Sequence, residues 1–184
     1  MSVQIVFETH STSVDNEANI ASGWLPSKLS ATGREQASAL GERHRNNGFA
    51  AVIASDLGRV IETVRIAFGG TDLPIFYDWR LRECDYGDLT GSPTSLVKMQ
   101  RRRYLDRPHP KGESWRDATA RTARVLEDLG RYWDGKRVLL IGSSAQRFAL
   151  GALLGGEALE TSLGEGFDWK PGWDYGLPTG WKAP

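Results

Sequence analysis

Short apolar runs alternate with longer stretches of helical period along this chain. Residues 3–7 form a β-branched apolar run that stops at the polar segment His10-Ser11-Thr12, so they read as a buried strand that delivers His10 at its carboxyl end. Over 31–47, Ala37, Leu40 and His44 keep helical spacing, and Asn47-Gly48 supplies a stop. Residues 51–54 repeat the short strand. Ser55-Asp56 is a candidate cap for a helix whose apolar face is Val60, Ile61, Val64 and Phe68. A third strand is expected over 73–77. Ala118, Thr122, Val125, Leu126, Leu129, Tyr132 and Trp133 make the stripe of a long amphipathic helix, and 138–141 is the clearest strand. A last helix, carrying Phe148, Ala149, Ala152 and Leu153, follows Gly142-Ser143-Ser144.

Strands alternating with helices predict an α/β fold of three layers, with a mostly parallel central sheet and helices on both faces. One domain is expected over 1–176, with 84–112 as a lid-like insertion. The aromatic tail from Phe167 is expected to pack on the domain in its first half, and 177–184 to fray.

Composition narrows the function classes. The 23 basic and 23 acidic side chains cancel, which removes the attraction a general nucleic-acid binder depends on and favours a small-molecule partner. The longest apolar run is far short of the roughly 20 residues that span a bilayer, so no membrane partner is expected. The start, MSVQIVFETH, lacks a basic segment ahead of a long apolar one, which points to the cytoplasm. The lone cysteine, Cys84, cannot form an internal disulfide, and no Cys/His pair has zinc spacing. Cys84 is expected to be a small buried apolar group.

Ligands of open parallel sheets bind beyond the carboxyl ends of the strands. Four segments are expected there: His10-Ser11-Thr12, residues 55–59, residues 81–87, and Gly142-Ser143-Ser144. Together they bring a histidine, an arginine and a carboxylate, the parts of a phosphoryl-transfer site. Imidazole takes the phosphoryl group, guanidinium clamps its oxygens and a carboxyl group protonates the leaving oxygen.

Four motifs carry a resemblance. His10 and Asn16 stand six residues apart after the first strand; Ser55, Leu57, Arg59 and Thr63 match Ser-x-Leu-x-Arg-x-x-x-Thr; Leu81, Glu83 and Gly87 match Leu-x-Glu followed by Gly. "GWLPSKLSATGREQA" matches Gly-Trp…Leu-Ser-x-x-Gly…Gln-Ala. In these features the chain resembles the histidine phosphatase superfamily, with its phosphoglycerate-mutase-like fold. The resemblance implies His10 as nucleophile, Arg59 and Asn16 as phosphate ligands, Glu83 as proton donor and Trp24 as a pocket wall. It implies no metal and no organic cofactor, and a small, phosphorylated substrate.

Two positions depart from the family pattern. Thr9 stands where the family has an arginine before the nucleophile, and Ser143 where it has a second histidine. Hydroxyls at Thr9, Ser11, Ser13, Ser143 and Ser144 can bond phosphate oxygens but cannot neutralise charge. At roughly 1.5–3 kcal/mol for each lost charge-assisted bond, the pair represents about 3–6 kcal/mol. A space is expected opposite His10.

The readings are therefore a weak or specialised phosphomonoester hydrolase working through phosphohistidine, a repurposed enzyme using His10 and Glu83 for acid–base chemistry on a non-phosphorylated metabolite, and a non-catalytic pseudophosphatase. A serine hydrolase is disfavoured because Gly142-Ser143-Ser144-Ala145 lacks the final glycine of a nucleophile elbow. Arg101-Arg102-Arg103 is expected to be a solvated face, or to send one guanidinium into the pocket. Glu83 has the plain alternative of pairing with Arg80 or Arg82, and Asn16 that of a turn or cap. His44 is expected on a solvated or half-buried helix position, and His109 in a loop.

Overall fold

The structure, a computed structural model, describes residues 2–166 and 168–184. Met1 and Phe167, the first residues of the expected domain and of the aromatic tail, lie outside the described residues. The chain runs β1 (Val3–Thr9), α1 (Val14–Glu17), α2 (Ala31–His44), β2 (Ala51–Ala54), α3 (Gly58–Phe68) and β3 (Ile75–Tyr77). It continues through α4 (Thr94–Gln100), α5 (Trp115–Tyr132), β4 (Arg137–Gly142), α6 (Ser144–Leu154), α7 (Leu159–Glu165) and β5 (Trp173–Leu177). The strands form one mixed sheet in the order β3-β2-β4-β1-β5. All neighbours are parallel except β1 and β5, which pair antiparallel with Val3 opposite Leu177.

Alternation along the strands divides the core. Ile5, Phe7, Ile53 and Leu140 pack with Val125, Leu126 and Leu129 of α5 on one face. Val6, Val52, Leu139 and Ile141 pack with Leu40 of α2 and Val60, Val64 and Phe68 of α3 on the other. The expected three layers result. Within the expected stripes, Ile61 and Tyr132 turn to solvent instead.

A further cluster joins residues 84–112 to the helices: Tyr86, Val97 and Tyr104 close on Trp115 of α5, Phe148 of α6 and Leu163 of α7. His109 is in a loop as expected, yet buried, stacked on Tyr104 with ring centroids 4.1 Å apart. His44 is also buried, its Nε2 2.6 Å from Oε1 of the buried Glu8.

One local expectation fails for a physical reason. Ser55-Asp56 does not cap α3: the N-cap is Leu57, without a side-chain bond, because Asp56 is held by Arg82 at 2.7 and 2.6 Å. In the tail expected to fray over 177–184, two side chains pack on the domain and the remaining residues are exposed. Leu177 ends β5 fully buried, Trp181 packs on the α5-side core, and the Ala183 N–H donates to Glu127 Oε1 at 3.2 Å.

Candidate active site

The four strand-end segments meet as the topology predicts. His10 follows β1 directly, and its N–H donates to Gly142 O at the end of β4. The Ser11 N–H donates to Thr63 Oγ1 at 3.1 Å, and that hydroxyl donates to Arg59 O at 2.8 Å. Thr63 thus ties the histidine loop to the first turn of α3, which accounts for its place four residues after Arg59. On the other side, Thr12 O lies so close to the start of α2 that a Cβ at Gly33 would stand 1.9 Å from it.

Within this frame the His10 ring is oriented from both nitrogens. Nδ1 lies 2.8 Å from Ser11 O, which makes Nδ1 the protonated nitrogen, and Nε2 accepts from Arg59 Nε at 3.0 Å. Burial first, and the Arg59 charge second, push the His10 pKa down to about 3 against the opposing Ser11 carbonyl. His10 is therefore a neutral imidazole with its lone pair directed at Arg59. Burial lowers the Arg59 pKa as well, with Glu83 the first of the groups opposing that shift. Arg59 Nη2 donates to Gly23 O at 3.0 Å, while the buried Nη1 has no hydrogen-bond partner among the described residues.

Glu83 is not paired with Arg80 or Arg82. Arg80 engages Asp78 and Asp128, and Arg82 engages Asp56. The Glu83 carboxylate instead accepts from Cys84 N, from Ala145 N in the first turn of α6, and from Ser144 Oγ at 2.6 Å. Its backbone carbonyl accepts from Trp24 Nε1 at 2.6 Å and from Arg121 Nη2 at 2.9 Å. Trp24 thus stands behind Glu83 and positions it. The Arg82 guanidinium lies over the indole face, 4.8 Å from its centroid.

His10, Arg59, Glu83, Ser144 and Asn16 line one cavity of about 110 Å³. This is the space of about three to four waters, the scale of a tetrahedral oxyanion. Asn16 is the N3 partner of the capping box at the start of α1, its Oδ1 accepting from Ser13 N at 3.0 Å, and it lines the cavity. Ser13, fully buried, is the partner in that cap. Ser143 is buried, its hydroxyl without a hydrogen-bond partner among the described residues, and Ser144 rather than Ser143 reaches the cavity wall. Thr9 and Ser11 line a second cavity, of about 430 Å³, on another side of His10, where the Thr9 hydroxyl accepts from Trp169 Nε1.

Residues 94–101 supply groups that the motifs did not single out. Thr94, Lys98 and Arg101 close the His10 cavity. Arg101 is the member of the arginine triplet that arrives there. Its guanidinium lies over Phe148 at 5.0 Å and Trp115 at 5.6 Å, and its Nε has no hydrogen-bond partner among the described residues. Lys98 stands three residues before Arg101, one turn away on the same helical face, and this spacing was the signal available in the sequence. Tyr86 also lines the cavity, and burial raises its pKa so that it remains a neutral phenol.

A family model described as the histidine phosphatase superfamily (branch 1) matches residues 5–163. The chain belongs to that superfamily. A probable phosphoglycerate mutase GpmB of Enterobacter sp. (strain 638) is 33% identical over 160 residues, covering 83% of this chain and 73% of the relative. A 2,3-bisphosphoglycerate-dependent phosphoglycerate mutase of Methylobacterium sp. (strain 4-46) is 34% identical over 176 residues, covering 87% and 84%. Among solved structures, Bacillus stearothermophilus YhfR superposes with a TM-score of 0.78 at 26% identity over 88% of this chain and 83% of that one. A mycobacterial glucosyl-3-phosphoglycerate phosphatase, in complex with VO3, gives 0.77 at 25% identity over 88% and 86%. No helix among the described residues is long and apolar enough to cross a membrane.

Proposed function

We propose that the protein is a phosphomonoester hydrolase of low or specialised activity that works through a phosphohistidine at His10. The observation carrying this reading is the shared cavity in which a neutral His10, with Nε2 unprotonated, meets the Arg59 guanidinium and the Glu83 carboxyl group. In the first step His10 Nε2 attacks phosphorus, the ester P–O bond breaks, and the leaving oxygen takes a proton from protonated Glu83. In the second, water gives a proton to the Glu83 carboxylate and attacks phosphorus, the N–P bond breaks, and phosphate leaves with the imidazole restored. Arg59 Nη1 and the Asn16 amide are donors for the phosphoryl oxygens.

Thr9 and Ser143 stand, in this reading, at the family's arginine and second histidine, so two donors are missing from the phosphate. Lys98 and Arg101 replace part of that charge from the lid side. The relatives named above support phosphoryl chemistry on small metabolites, since their names describe mutases of phosphoglycerate and a phosphatase of a glucosylated phosphoglycerate.

Steady-state phosphate release from p-nitrophenyl phosphate tests the reading, with wild type, His10→Ala and Ser143→His measured together. A His10-dependent rate that Ser143→His raises by about 10-fold or more supports it. No release from either wild type or Ser143→His contradicts it and favours a substrate without phosphate.

A further inference from the structure

The two oxygens of Glu83 meet different kinds of donor. Oε1 accepts from two backbone N–H groups, Cys84 N at 2.7 Å and Ala145 N at 3.2 Å, whereas Oε2 has the Ser144 hydroxyl, at 2.6 Å, as its partner among the described residues. A backbone N–H only donates, so a proton on Oε1 would face two fixed donors. A hydroxyl both donates and accepts. When Glu83 is protonated, its proton therefore stands on Oε2 and is donated to Ser144 Oγ, which frees the Ser144 hydrogen to point elsewhere. When Glu83 is ionised, that hydrogen turns back to Oε2.

Of the three partners of this carboxyl group, Ser144 alone lines the His10 cavity among the described residues. Its place is fixed from both sides. Ser144 is the first residue of α6, and Gln146 ties the first turn of that helix to the Glu83 segment: its Nε2 donates to Arg82 O at 2.8 Å while its Oε1 accepts from Ser143 N at 3.0 Å. A Cβ at Gly142 would stand 2.9 Å from Gln146 Oε1, so glycine there leaves room for this bridge. A hydroxyl held in this way needs little reorganisation at the moment a proton moves.

We propose that Ser144 is a further catalytic residue, relaying the proton between Glu83 and the oxygen that leaves or attacks phosphorus. The proposal rests on the phosphomonoester hydrolase reading and adds a residue to its proton path. As the ester P–O bond breaks, the leaving oxygen takes the Ser144 hydrogen and Ser144 Oγ takes the proton of Glu83 Oε2. Glu83 ends as a carboxylate and Ser144 as a hydroxyl again. In the second half the direction reverses: the attacking water gives a proton to Ser144 Oγ, and the Ser144 hydrogen passes to Glu83 Oε2.

The test compares kcat/KM for p-nitrophenyl phosphate and phenyl phosphate in wild type, Ser144→Val, Ser144→Thr and Glu83→Gln. The two esters are alike in shape, but p-nitrophenolate is a stable anion that leaves without a proton, whereas the more basic phenolate needs one. Ser144→Val and Ser144→Thr also share a shape and differ in the hydroxyl. Ser144→Val is expected to lower phenyl phosphate turnover by about 10²-fold, the scale of general acid catalysis, and by at least about tenfold more than p-nitrophenyl phosphate turnover. Glu83→Gln is expected to show the same selective loss, and Ser144→Thr to restore the wild-type ratio of the two esters. In wild type, the phenyl phosphate rate in mixtures of light and heavy water is expected to curve with deuterium fraction, as two protons in flight require. Equal loss on both esters in Ser144→Val, no selective loss on phenyl phosphate, or a linear deuterium dependence in wild type each overturns the relay, while His10-dependent turnover of p-nitrophenyl phosphate leaves the hydrolase reading standing. Absence of that turnover in wild type overturns both. The deuterium measurement needs no variant, so the relay is tested even where Ser144→Val does not fold.

Discussion

Arg59 Nε donates to His10 Nε2 across 3.0 Å, so the lone pair proposed to attack phosphorus is engaged by the group proposed to bind the phosphate. On the proposed mechanism, an anion bound there would draw the guanidinium onto its own oxygens and release the imidazole. Arg59→Lys keeps the charge but loses the planar fork. It is expected to lower kcat/KM for p-nitrophenyl phosphate by about 10²–10³, the scale of a lost transition-state donor.

The low pKa of His10 has a consequence for pH dependence. With the folded value at about 3 and the ordinary value at 6.5, the ring stays neutral in the folded chain while the unfolded chain takes up a proton below 6.5. The folded state therefore loses this contribution as pH falls from above 6.5 towards 3. Histidine NMR titration is expected to show no protonation of His10 between pH 5 and pH 8, and the stability advantage of His10→Gln over wild type is expected to grow as pH falls from 7 to 4 in chemical unfolding.

The arginine triplet separates by position. Arg101 lines the cavity, whereas Arg102 and Arg103 are exposed. Lys98→Ala and Arg101→Ala are each expected to weaken phosphate or vanadate binding about tenfold by calorimetry, with Arg102→Ala and Arg103→Ala unchanged. Equal effects of all four variants would indicate a diffuse field rather than contacts.

Gly33 is fixed by the close approach of α2 to the histidine loop. The Cβ of Gly33→Ala would stand 1.9 Å from Thr12 O, so backbone must move. Thermal unfolding is expected to show a loss of about 1–3 kcal/mol, the usual cost of overpacking. Phosphate release is expected to fall as well, because the loop that moves carries His10.

The parts of the fold that could be read from sequence are those whose pattern is local. The run into His10, the 118–129 stripe and the apolar strand before Ser143 each carry their own period, and each forms the expected element. Strand β5 was not legible because Trp173–Leu177 buries only its ends and is held as a strand by pairing with β1, a contact between opposite ends of the chain. The site shows the same division. His10, Arg59, Glu83 and Asn16 were legible from motif spacing and share one cavity, whereas Lys98 reaches it through the packing of its neighbours Val97 and Tyr104 in one cluster with Trp115 and Phe148. Trp24 was assigned to the pocket wall, but its indole N–H is drawn to the Glu83 carbonyl, a partner that spacing does not reveal.

The central claim is that the phosphoryl group passes through His10, and the most direct measurement looks for it there. Wild type and His10→Ala are mixed with excess p-nitrophenyl phosphate, denatured within the first turnover under alkaline conditions that preserve phosphohistidine, digested, and read by mass spectrometry. The account predicts one added phosphoryl group on the peptide containing His10 in wild type, removed by acid, and none in His10→Ala. Phosphate release without any label on that peptide, or a label that persists in His10→Ala, would contradict it.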